Sequence, residues 1–207
     1  MAYSSRFWDR IAAKYARSPI KDEASYQRKL EWTREYLTPE SIVYEFGCGT
    51  GSTAIAQAPF AGHITASDIS ANMLDIARDK ATSVGVTNVT FEQAGLEDAN
   101  AASAHYDMVM AHSLLHLLED KEAGLAEIHR MLKPGGIFVS STACIADFMP
   151  LLRLVSVPAR WLGLIPLVSI FSSDHLRQSI KAAGFTIVQD WQPKKSASLF
   201  IIATKDA

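Results

Sequence analysis

The sequence predicts an α/β fold in three layers, a mostly parallel sheet covered by helices on both faces. Short β-rich runs alternate with segments of helical period, which is the pattern of such a sheet. A glycine-rich bend, Gly47 to Gly51, stands where the first apolar run gives way to a helical one. Two C-terminal strands are joined by so short a loop that they must run antiparallel. At 207 residues, 48% hydrophobic and 20% charged, the chain is long enough for one sizeable core, so a single domain is expected.

Taken in order, the elements begin with a short helix around residues 7–16. Asp22 is placed to cap a second helix that presents Tyr26, Leu30, Thr33 and Leu37 on one face. The first strand is Ile42 to Phe46, followed by strands His63 to Ser67, Val89 to Gln93, Tyr106 to Met110 and Ile137 to Thr142. Between the second and third, Ser70 is a plausible N-cap, and Met73, Ala77, Ala81 and Val84 share a face until Gly85 ends the helix. Leu125, Ile128 and Leu132 repeat that period. Pro134-Gly135-Gly136 then stops the helix, because proline cannot continue the hydrogen bonding. Residues 146–171 are strongly apolar but are broken by Pro150, Pro158 and Pro166 and carry Arg153 and Arg160, which argues against a simple transmembrane helix. The tail supplies a helix from Asp174 to Ala183, a strand Phe185 to Trp191, a turn through residues 192–196, and a strand Ala197 to Thr204.

Charge and cysteine content narrow the partners. A net charge of −2 gives no general electrostatic reason to bind a polyanion, so no nucleic-acid partner is expected. Cys48 and Cys144 offer no disulfide framework and suit a reducing compartment. The first residues alternate charge and aromatics without an apolar signal-peptide core, so a cytoplasmic location is expected. Lys194 and Lys195 read as the solvated turn of the hairpin.

The glycine bend separates the nucleotide-binding classes. A phosphate loop needs a lysine after its last glycine, and none follows Gly51. The dinucleotide fingerprint needs glycine at position 52, where this chain has Ser52, which demotes a nicotinamide cofactor without excluding it. What remains is a tight turn preceded by Glu45 and followed, at the tip of the second strand, by Asp68. A carboxylate there can accept two hydrogen bonds from the vicinal hydroxyls of a ribose. No G-x-S-x-G elbow supports a hydrolase.

In order, VYEFGCGTG, ITASDIS, YDMVMAHSLLHLLED and LKPGGIFV resemble the successive motifs of class I S-adenosylmethionine-dependent methyltransferases, over approximately residues 40–142. The resemblance implies a Rossmann-like, seven-stranded sheet whose last strand is antiparallel. It also implies a division into an N-terminal helical lid (1–40), a cofactor-binding core (41–142), an apolar substrate-side insertion (143–172), and a helix with a β-hairpin (173–207). Glu45 would attract the ammonium group of S-adenosylmethionine, while Gly47 and Gly49 would let its aminoacyl part lie against the backbone, with Cys48 beneath the cofactor. Asp68 would take the ribose hydroxyls, and Ile69 and Met73 would pack on the adenine. The family often has an acidic residue where Gly95 stands, so Leu96 or Glu97 would substitute in reading the adenine. Ala111, just past the fourth strand, would line the methionine end, with His112 and Ser113 opening toward the acceptor.

The chemistry needs few special residues, because a sulfonium is already a strong electrophile and the protein's main task is in-line alignment and exclusion of water. A base is needed only where the acceptor loses a proton, and His112, His116 and Tyr15 are the candidates. His112 and His116 are spaced as two metal ligands on a helix would be, but no third ligand is evident and no metal is expected. Plain core packing is the competing reading for Met73, and a buried, hydrogen-bonded residue beneath the loop is that for His116. In the enzymes that the chain resembles, the N-terminal helices and the insertion before the sixth strand form the acceptor pocket; here the aromatic N-terminal segment, with Trp8 and Tyr15 near the cofactor's open side, and the apolar insertion favour a small, largely apolar acceptor, lipid-like or quinone-like. Covering a sheet edge, a dimer contact and a peripheral membrane contact are competing roles for the insertion, and the chain is expected as a monomer or homodimer. An NAD-dependent oxidoreductase and a non-catalytic adenosyl-binding module are the alternative functions.

Overall fold

The computed structural model describes residues 2–96, 98, 102–149 and 168–206. Its elements are α1 (Ala2–Arg17), α2 (Glu23–Arg34), β1 (Ile42–Phe46), α3 (Ser52–Gln57), β2 (His63–Asp68), α4 (Ala71–Ser83), β3 (Val89–Gln93), β4 (Tyr106–His112), α5 (Lys121–Met131), β5 (Leu132–Thr142), α6 (Ser173–Ala182), β6 (Phe185–Trp191) and β7 (Leu199–Lys205). The strands form one seven-stranded sheet in the order β3, β2, β1, β4, β5, β7, β6. Neighbours from β3 to β5 are parallel, and β7 enters between β5 and β6 antiparallel to both. This is the expected α/β sandwich with its last strand reversed.

Alternation along the strands divides the core into two layers. Tyr44, Phe46, Val109, Phe138 and Ile201 face one way and meet Leu125 and Ile128 of α5 and Leu176 and Ile180 of α6. Val43, Met108, Met110, Phe200 and Ile202 face the other way, toward Ala54 of α3, Leu74 of α4 and Trp32 of α2. Because both faces are covered, the central strands read as continuous apolar runs. Each fully buried side chain of this kind contributes about 1.5–3 kcal/mol.

Caps set the helix starts as expected. Asp22 accepts from Ser25 N and Oγ at the head of α2, and Ser70 Oγ accepts from Met73 N at the head of α4. Several boundaries differ from the sequence expectation, two of them because a strand pairs with its neighbour. α1 begins nearer the N-terminus than residue 7. β4 runs on to His112 because Ala111 and His112 pair with Ser140 and Ser141 of β5. Leu132 is not the end of α5 but the first residue of β5, paired with Tyr106. The Lys133 to Gly136 segment bulges out of the ladder, where proline has no N–H to offer and Lys133 reaches Asp107 at 2.7 Å.

Of the apolar insertion, residues 150–167 lie outside the described residues. On its near side, Ile145–Asp147 form a 3₁₀ turn, and the Asp147 carboxylate accepts from Ser173 N. On its far side, Ser169 donates from N to the His116 carbonyl and from Oγ to the Leu118 carbonyl. Among the described residues no helix is long and apolar enough to cross a membrane.

From β1 the chain winds outward through β2 and β3, and from β4 it winds the other way. A crevice must therefore open beyond the C-terminal ends of β1 and β4, at the point where the strand order reverses.

Candidate active site

A cavity of about 1470 Å³ occupies that crevice. It exceeds the roughly 300–1,000 Å³ of a single small-molecule site, which leaves room for two ligands side by side.

The floor is the glycine turn. Gly47, Gly49 and Gly51 all have positive φ, at 63°, 54° and 73°. A Cβ on Gly49 would point into the cavity, its nearest neighbour being Tyr15 Cε1 at 3.9 Å, so the missing side chain leaves backbone open to a ligand. At Gly51 the added Cβ would stand 2.8 Å from Ala77 Cβ, so that glycine serves helix packing instead. Cys48 is buried, donates its amide to the Ser67 carbonyl, and has its thiol pKa raised by burial, which makes it an inert part of the floor.

Two carboxyl groups border this turn. Glu45, near the end of β1, is 2% exposed, and its Oε2 is buried without a hydrogen-bond partner. Burial, with a smaller contribution from the charge of Asp68, pushes its pKa up to about 8 against the opposing effect of the Ala54 amide. A lone buried carboxyl oxygen lining a cavity suits a cationic group. Asp68, the last residue of β2, accepts from Gly49 N through Oδ2 and from Ser70 N through Oδ1, each at 2.9 Å. Burial raises its pKa while those amides oppose the rise. The same carboxylate thus clamps the turn to the tip of β2 and keeps further acceptor capacity.

Ile69, Met73, Gly95 and Leu96 line the cavity beyond Asp68. Met73 is also 2% exposed, so it serves the core as well. Glu97 lies outside the described residues. Ala111 sits within β4, not just past it, and is fully buried in the core.

The three candidate bases separate. His112 closes β4 and lines the cavity, and burial with the nearby Lys29 holds its pKa down to about 4. Its ring is therefore neutral near pH 7, fit to orient a hydroxyl but weak as a proton store. His116 lies in the 3₁₀ turn Leu115–Leu117 and is not on a helix with His112; its Nδ1 is buried without a partner, burial holds its pKa down to about 4, and it does not line the cavity. The spacing read as a helical ligand pair is broken by Ser113, whose φ is 53°. Tyr15 of α1 roofs the glycine turn with Trp8 edge-on at 6.4 Å, and its pKa is raised by burial and by Asp68.

Sequence reasoning missed several lining or supporting residues. Lys29 of α2 reaches into the cavity and donates to Ser141 Oγ of β5 at 2.8 Å. Its signal was its place three residues after Tyr26, on the inward face of a helix where charge is unusual. Ser141 gave only the alternation of its strand. Tyr26 stands beside Thr53 and Glu45. Asp9 of α1 accepts from Ser70 Oγ at 2.6 Å and from Asn72 N at 3.2 Å, which fastens the roof to the head of α4.

Residues 43–136 match the model of a methyltransferase domain. A demethylmenaquinone methyltransferase of Chlorobaculum parvum is 30% identical over 131 residues, covering 63% of this chain and 46% of that protein. Among solved structures, geranyl diphosphate C-methyltransferase from Streptomyces coelicolor A3(2), in complex with Mg2+, geranyl diphosphate and S-adenosyl-L-homocysteine, superposes with a TM-score of 0.71 at 14% identity, over 87% of this chain and 79% of that one. The [4+2]-cyclase SpnF superposes with a TM-score of 0.70 at 19% identity, over 87% and 80%; likeness at this level shows the fold alone. The chain spans 24%, 30% and 46% of the length of three curated relatives it matches. Residues 43–136 thus carry a methyltransferase domain, and the order of the motifs and the reversed β7 match the pattern of the class I S-adenosylmethionine-dependent methyltransferases.

Proposed function

We propose that this protein transfers the methyl group of S-adenosylmethionine to a small acceptor with an apolar, lipid-like or quinone-like body. The observation that carries the reading is the floor of the cavity, where an open glycine turn lies between an unpartnered buried carboxyl and a carboxylate at the next strand tip. The cofactor supplies an electrophilic methyl carbon on a positively charged sulfur. Glu45 holds the ammonium group, Gly47 and Gly49 admit the aminoacyl part, and Asp68 receives the ribose hydroxyls. Ile69, Met73, Gly95 and Leu96 flank the adenine, and Glu97 belongs to the same proposal. Tyr15 and Trp8 exclude water from above. His112 orients the acceptor, and in-line alignment within this cavity supplies much of the rate enhancement. The name of the Chlorobaculum relative supports a quinone-like acceptor. Both cysteines are free thiols, which supports a cytoplasmic location.

Calorimetric titration with S-adenosylmethionine, S-adenosylhomocysteine and NAD tests the class: the first two bind and NAD does not, whereas binding of NAD alone defeats the proposal. Asp68→Ala should weaken S-adenosylmethionine binding by about 1–3 kcal/mol, since the ribose hydroxyls lose their partner and the turn loses its clamp; unchanged affinity rejects that role. Incubation of a lysate with methyl-labelled cofactor separates an enzyme from a silent binding module, which would label no acceptor.

A further inference from the structure

The wall facing the acceptor is not uniformly apolar. Lys29 extends from α2 to the C-terminal ends of β4 and β5, where His112 and Ser141 are register partners on adjacent parallel strands. All three line the cavity. Lys29 is half-buried and, among the described residues, has no carboxylate within 4 Å. Burial lowers the Lys29 pKa and the charge of Asp22 opposes that fall, but Asp22 spends Oδ1 on Ser25 N and Oδ2 on Ser25 Oγ as the cap of α2. An ammonium group held inside a cavity against a neutral serine hydroxyl, beside an imidazole that burial and Lys29 itself keep neutral, is a cation awaiting an anion. Ile20, Leu30, Leu117, Leu118 and Trp191 add apolar wall to the same cavity. The carboxyl groups of Glu45 and Asp68 and the ammonium group of Lys29 line the same cavity, which thus offers partners to ligand groups of both signs.

We infer that Lys29 and Ser141, with His112 beside them, form a site for an acidic hydroxyl, so that the acceptor is a phenol or enol bound as its oxyanion. This rests on the methyltransferase reading above. On binding, the hydroxyl proton leaves to water and Lys29 pairs with the oxyanion. The freed electron pair forms the bond to the methyl carbon, either from oxygen or from a conjugated carbon that then gives its own proton to water. The electron pair of the S–CH3 bond departs with sulfur. Lys29 is a catalytic residue in this account, because it touches the reacting oxygen or the oxygen conjugated to the reacting carbon.

The test uses the full-length protein saturated with S-adenosylhomocysteine and two probes of nearly equal shape, 4-nitrophenol and its methyl ether 4-nitroanisole, with binding read by calorimetry and the phenolate fraction by absorbance. The wild type should bind 4-nitrophenol about tenfold or more tightly over the ether and hold it as phenolate, since a charge-assisted bond is worth at least that ratio. Lys29→Met should abolish the preference and the phenolate signal while keeping the affinity for 4-nitroanisole and for S-adenosylhomocysteine. Lys29→Arg, which keeps the charge, should retain most of the preference and guards against a folding artefact. Equal binding of the two probes by the wild type, binding of neither, or a preference that survives Lys29→Met overturns the inference. Failure of the wild type to bind S-adenosylhomocysteine at all is a different result, and it overturns the methyltransferase reading on which the inference rests.

Discussion

Glu45 shows how one residue's setting sets its chemistry. Its folded-state pKa of about 8 stands above the ordinary value of 4.5, so the folded chain keeps a proton there that the unfolded chain has released. The stability Glu45 contributes is complete below pH 4.5 and is lost as pH rises through about 8. A cation placed against Oε2 reverses the balance by favouring the charged carboxylate. Binding of S-adenosylhomocysteine near neutrality should therefore release a proton, seen as a dependence of the calorimetric heat on the ionisation heat of the buffer. Glu45→Gln should remove that dependence and weaken binding about tenfold; a wild-type heat independent of buffer would show that no cation approaches Glu45. Glu45, Gly49 and Asp68 were legible in the sequence because a strand end, a tight turn and the next strand tip are close along the chain. Lys29 was not, since it meets Ser141 across 112 residues and only the docking of α2 brings them together.

Among the elements, α1 is attached to the head of α4 by a cluster of polar contacts. It roofs the glycine turn through Tyr15, yet Tyr15 remains half exposed, so packing alone gives it modest hold. Asp9 adds a polar latch, accepting from Ser70 Oγ and Asn72 N through its carboxylate and from Asn72 Nδ2 through its carbonyl. A carboxylate at the head of α4 is also favoured by the exposed amides and dipole of that helix. Losing such a contact costs about 0.5–2 kcal/mol, enough to change how often α1 opens while the sheet stays folded. Asp9→Ala should speed trypsin cleavage after Arg10, Lys14 and Arg17 several-fold and quicken S-adenosylhomocysteine dissociation, with the thermal midpoint lowered only slightly. An unchanged cleavage rate would mean that apolar packing holds α1 by itself. Element boundaries were legible where a local cap decides them, as at Asp22 and Ser70. They were not where pairing with a neighbour extends a strand, as at His112 and Leu132, because the partner's register is not written in the strand's own residues.

For the whole molecule, the buried central strands that carry the stability also hold the cavity's side chains at their C-terminal ends. β1, β4, β5 and β7 are buried on both faces, with Val43, Val109, Phe138 and Ile201 fully enclosed. β3 and β6 are edge strands with exposed residues at alternate or nearly alternate positions. β7 follows β6 in sequence but lies inside the sheet, so residues 199–205 complete the central core and do not merely trim its edge. Amide exchange should accordingly be slowest in β1, β4, β5 and β7, which open only with global unfolding, and faster in β3, β6 and α1, which open locally. S-adenosylhomocysteine should slow exchange at Gly47 to Gly51 and in α1 while raising protection of the central strands only by the amount that mass action adds to global stability. If β7 instead exchanged as fast as β6, the hairpin would be a detachable edge unit. The C-terminal ends of β4 and β5, which hold His112 and Ser141, would then depend for their placement on the ligand and not on the fold.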